Sequence, residues 1–118
     1  MRYLTMVSAP ENAGPPPQGL MDAIGKLGED ATKAGVLVET GGLGPSALGA
    51  RIRFGGGKIT VTDGPFSEAK ELIGGYAVYE TKTKEEALEW CRRFAEAHIE
   101  HWPDLSGTVE IREVVFHQ

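Results

Sequence analysis

Leu20, Ile24, Leu27, Ala31 and Ala34 recur at spacings of four, three, four and three, and Ala87, Cys91, Phe94 and His98 repeat the pattern. Each set is one apolar stripe on a helix, with Asp22, Lys26, Glu29, Asp30 and Lys33 mostly off the first. Each stripe is bracketed by strand-like runs, and that bracketing constrains the fold more than anything else in the chain. Before the first stripe, Tyr3, Thr5 and Val7 alternate with Leu4, Met6 and Ser8, the pattern of a strand partly buried on both faces. After it comes "VLVETGGLG". "YAVYE" and "TVEIREVVF" flank the second stripe.

Local signals set the ends of the helices. Pro17 suits the entry to the first, where a missing N–H costs nothing, and Gly35 suits its exit, with Lys33 at the negative end of the dipole. Thr83 and Glu86 form a capping box that predicts a second helix from Lys84, stopped before Pro103. Between the two halves, "ARIRF" and "KITVT" alternate with period two around "GGG", which predicts a hairpin on a glycine turn.

The order is therefore β-α-β, a hairpin insertion, then β-α-β. It predicts an α+β fold, a ferredoxin-like split βαβ with an inserted β-hairpin and both helices on one face of an antiparallel sheet. The other face has no cover within the chain, and Tyr76, Val78 and the Tyr3, Thr5, Val7 alternation are expected to offer it apolar groups. An exposed apolar face of that size predicts a homodimer packed sheet on sheet. The same topology is expected to gather Ala9–Pro17, Asp63–Gly74 and His98–Gly107 at one edge, where a pocket would be built.

The 118 residues fit one domain spanning 1–118. At net charge −5, with lysine and arginine scattered, the chain lacks the basic face that nucleic acid or an anionic membrane requires. The single cysteine, Cys91, excludes an intrachain disulfide and fits a reducing compartment, the cytoplasm. "MRYLTMVSAPENAG" is too short in apolar residues for a signal-peptide core or a membrane span.

The chemistry-bearing residues concentrate after the hairpin, in "TDGPFSEAKELIGGYAVYE". Asp63 is either a turn cap or a carboxylate aimed into the edge pocket as a general base. Glu68, Lys70 and Glu71 are either a solvated cluster or a carboxylate–ammonium set that binds a polar ligand. Arg51 and Arg53 point the same way on a hairpin strand, placed to hold an anion or to pair with Glu68 and Glu71. With Pro65 and Phe66 these form the candidate ligand-binding set. His98 and His101 are the candidate acid–base partners of Asp63, and His98 also fits a core position. Asp104 is a weaker second acid. His-x-x-His without a third ligand predicts no metal site, Cys91 reads as an inert thiol, and "GGGKI" and "GGLGPSALG" match no phosphate-binding loop. No cofactor is expected.

"DGPFSEAKELIGGY" resembles the signature of the DGPF group of the YCII-related domain family, and "MRYLTMV", "AGVLVETGGLGP" and "GTVEIREV" are similar to that family too. The resemblance implies a dimeric α+β barrel. It also implies an association of some members with sigma factors in transcription, and a His–Asp pair elsewhere in the family that suggests enzymatic activity. No histidine stands in the first helix of this chain, so that pair has no direct counterpart. The expected function is a small dimeric cytoplasmic protein binding a small polar metabolite near the DGPF loop, with or without acid–base catalysis. The alternative is a non-catalytic sensing or protein-interaction module that serves a transcription regulator.

Overall fold

The chain opens with strand β1 (Arg2–Ala9), whose alternation carries Tyr3 and Thr5 to one face and Leu4 and Met6 to the other. A computed structural model of the protein describes residues 1–116. Helix α1 (Gln18–Lys33) follows with Pro17 at its N-cap. It ends in a Schellman motif: Gly35, at φ +76°, donates to the Thr32 carbonyl and Val36 N–H donates to the Ala31 carbonyl. Strand β2 (Leu37–Gly42) leads to the hairpin of β3 (Ala50–Gly55) and β4 (Lys58–Asp63). Gly56 and Gly57 make its two-residue turn with φ of +55° and +74°, the paired positive dihedrals of a type I′ turn.

Strand β5 (Leu72–Glu80) is longer than its sequence suggested. It begins before the glycine pair because Leu72 and Ile73 pair with Ala9 and Ser8 across a bulge. Helix α2 (Lys84–His101) starts where Thr83 Oγ1 accepts from Glu86 N–H at 3.2 Å. The reciprocal bond of the box goes one residue astray, from Lys82 N–H to Glu86 Oε2 at 3.4 Å. Strand β6 (Thr108–Glu113) closes the order.

The sheet runs β2-β5-β1-β6, antiparallel throughout, and the β3–β4 hairpin stands apart as a two-stranded sheet. This is the ferredoxin-like arrangement with its insertion. The expected dimeric α+β barrel is not what the fold builds: β2 and β6 are open edges, and neither sheet closes or curls strongly. The hairpin that could have extended the main sheet pairs only with itself, so the four-stranded sheet keeps both edges unpaired.

Both helices cover one face. Leu20, Leu27 and Ala31 of α1 and Ala87 and Cys91 of α2 are buried against it. Tyr79 stacks on Trp90 with centroids 6.5 Å apart, and its β1 partner in register is Tyr3. Tyr3 and Thr5 are therefore core residues, not part of the uncovered face as the alternation had suggested. Thr5 loses its polarity to the ladder by donating to the Ala77 carbonyl at 3.0 Å. The uncovered face instead presents Leu4 and Met6 beside their register partners Val78 and Tyr76. Burial holds Tyr79 hydroxyl protonated, its pKa pushed up to about 12, and pushes the Cys91 thiol up to about 11.

Candidate functional site

The loop between β4 and β5 is fixed by a close approach at its first residue. Gly64 lies so near the Ser46 carbonyl that a Cβ there would overlap it, and its N–H donates to the Gly49 carbonyl at 2.9 Å. The Gly64–Pro65 peptide bond is cis. Ser46 sits in a short 3₁₀ turn, Ser46–Leu48, just before β3. Its hydroxyl accepts from Phe66 N–H at 3.0 Å while donating to Glu11 Oε1 at 2.6 Å, and its N–H donates to Glu11 Oε2 at 2.6 Å. Glu11, in the turn after β1, thus ties three loops into one wall. The Ser46 hydroxyl, then the Ser46 N–H, hold its carboxyl below the usual range.

Arg51, on β3, backs the wall by holding Phe66 and Glu68 without lining the cleft itself. Its guanidinium lies 4.1 Å from the Phe66 ring centroid and donates to Glu68 Oε1 at 2.6 Å. The Glu68 pKa is lowered by its own backbone N–H first and by Arg51 second. Stacking and pairing together pin a fork-shaped cation that lysine does not replace.

These loops surround an open cleft of about 460 Å³. Glu11 and Asn12 form one side, and Pro65, Phe66, Glu68 and Lys70 the other. Lys70 is exposed and makes no ion pair or side-chain hydrogen bond among the described residues.

Of the expected set, Pro65, Phe66, Glu68 and Lys70 line the cleft, and Arg51 stands behind Phe66 and Glu68. Arg53 stands two residues further out on the same face of the arm, near enough for its charge to lower the Glu68 pKa. Asp63 ends β4 opposite Ala50, exposed, and Glu71 is exposed beside β5; neither lines the cleft. The histidines also lie elsewhere. His98 packs its ring on Phe94, with Nδ1 2.9 Å from the Phe94 carbonyl. His101 lies against Gly19 at the start of α1, and its Nε2 is 3.7 Å from Glu100. No loop carboxylate reaches ion-pair distance of either imidazole among the described residues. The cause is strand order. β6 occupies the edge beyond β1, so the connection from α2 runs along the far side of β1, where Gly107 abuts Ser8.

Glu11, Asn12 and Ser46 carry no signal in the sequence that marks them for this site. Their only advance notice is a proline before Glu11 and before Ser46, which punctuates the loops without saying where they meet.

No helix among the described residues is long and apolar enough to cross a membrane, and no cluster of three metal-ligating side chains occurs among them. What remains is a ferredoxin-like α+β protein with a loop-built cleft at the strand-exit edge. The chain belongs to the YCII-related domain family, whose sequence profile matches residues 1–115. It is also 29% identical over 86 residues to an uncharacterized protein of Rhizobium meliloti (strain 1021). That similarity covers 73% of this chain and 65% of the relative, less than two thirds of its length.

Proposed function

We propose that the chain binds a small polar metabolite bearing an anionic group in the cleft, as a holding or sensing site. The carrying observation is the Glu11–Ser46–Phe66 tie beside the Arg51–Phe66 stack, which sets a rigid, half-apolar wall next to the unpaired Lys70 ammonium. Preformed walls with a few placed polar groups are what small-molecule sites use. Both carboxylates on the cleft are already engaged, Glu11 by Ser46 and Glu68 by Arg51. That suits retention of a ligand better than proton transfer, and it favours binding over acid–base catalysis. With its single cysteine kept as a buried thiol, the protein fits a reducing cytoplasm.

A homodimer belongs to the same proposal, because Leu4, Met6, Tyr76 and Val78 form an apolar centre on the uncovered sheet face. A thermal-shift screen of carboxylates and phosphates tests the ligand. A hit is expected to lose most of its shift in Lys70→Met and in Arg51→Gln. A hit whose shift survives both substitutions places the ligand elsewhere and overturns the reading.

A further inference from the structure

The β3–β4 arm is amphipathic in an unusual sense: its polar face points to the rest of the chain's cleft, and its apolar face points to nothing. Arg51 and Arg53 share one face with Thr62 and Thr60, their register partners. On the other face Ile52 pairs with Val61 and Phe54 with Ile59. These four are 63%, 63%, 87% and 74% exposed, in that order. Neither strand packs substantially on a helix or on the main sheet. An isolated two-stranded hairpin is marginal in water and gains independent stability only from further strands or from packing against another element.

The size of the surface fits a second copy of the same chain. The protein exposes 8323 Å², whereas a compact monomer of 12.7 kDa exposes about 6,200 Å². The excess, on the order of 2,000 Å², exceeds the ~800 Å² that each partner buries in a standard interface. Its radius of gyration, 15.9 Å, is also above the roughly 13.5 Å of a compact chain of this length. Charge points to the same occupant. Ala50–Asp63 holds three cations and one carboxylate, leaving nine cations against sixteen carboxylates in the remainder. These cations lie on the arm's polar face, so they steer the approach of an acidic second copy without entering the apolar contact.

We propose that the arm clasps a second copy of this chain, laying Ile52, Phe54, Ile59 and Val61 at the rim of that copy's open sheet face. The contact is reciprocal, as twofold symmetry requires. It also steadies the strand that holds Arg51 against Phe66 and Glu68, so each copy's cleft wall is braced by its neighbour. The inference rests on the homodimer reading but on a separate surface.

Sedimentation equilibrium of three proteins tests it: wild type, Phe54→Ser/Ile59→Ser on the arm, and Val78→Lys on the sheet face. Wild type is expected at twice the chain mass, and the arm variant to dissociate at least about tenfold more readily, as loss of buried anchors does. Far-UV circular dichroism of the arm variant should stay native, because its side chains touch little within the monomer. A wild-type monomer at micromolar concentration overturns the clasp and the dimer together. An arm variant with unchanged association overturns the clasp alone. Dissociation by both variants upholds the clasp, whereas dissociation by the arm variant but not by Val78→Lys places the arm's contact away from the sheet face and overturns the clasp as stated.

Discussion

The helix-covered sheet and the β3–β4 arm are written in the same code, alternating apolar residues at period two, yet one is core and the other lies bare. Tyr3 and Tyr79 meet in register and are sealed by α1 and α2, with Trp90 stacked on Tyr79. Ile52 and Val61 meet in register just as well, and nothing among the described residues covers them. Alternation states which side chains share a face. It does not state what lies on that face.

Substitutions in the two regions should therefore differ sharply in cost. Leu20→Ala empties a fully buried position of α1 and should destabilise the fold by about 3 kcal/mol in denaturant unfolding. Ile59→Thr on the arm should change the stability of the dilute monomer by less than about 0.5 kcal/mol. Equal costs would mean that the arm packs against its own body.

Gly64→Ala comes next, because a Cβ has nowhere to go but into the Ser46 carbonyl. It should cost about 2 kcal/mol, and the loss should fall on the loop. Amide exchange at Phe66 should accelerate while β1 and β5 stay protected. Faster exchange across the whole sheet would show that loop and core unfold as one unit.

Thr83→Ala removes the N-cap acceptor of α2 and should cost about 1 kcal/mol, spread over the helix-covered half. Denaturant unfolding reads it directly, and a smaller loss would assign the cap to Glu86 alone.

The smallest effect is a pH dependence confined to the cleft. The Glu11 carboxyl is held down by Ser46, so its contribution is complete above the ordinary carboxylate pKa of about 4.3. It fades as pH falls through the lower folded value. Acidification below the lowered folded pKa of Glu11 should release Ser46 and Phe66 amides before the core opens, and Glu11→Gln should abolish that acid step. Amides that remain protected in acid would remove Glu11 from the wall's support.

Much of the architecture was legible. The two helical stripes, the Thr83 cap, the Gly35 exit and the glycine turn are local, and each acts within a few residues of the chain. The candidate site was legible by half. The DGPF loop and Arg51 carry their chemistry in recognisable residues, but Glu11 and Ser46 join them only through contacts with no local cause. His98 and His101 looked available because the second helix ends at the same edge as the loop. The connection to β6, on the far side of β1, took them away from it.

By itself the sequence determined the elements, their order and the residues that share each face, because dihedral preference and periodicity are local physics. Tertiary structure decided which face of β1 the helices took. It also decided that four strands stay open instead of closing, and that Ser46 stands between Glu11 and Phe66. Those outcomes depend on which strands are neighbours, a global choice made by burying Leu20, Ala31, Ala87 and Tyr79 together.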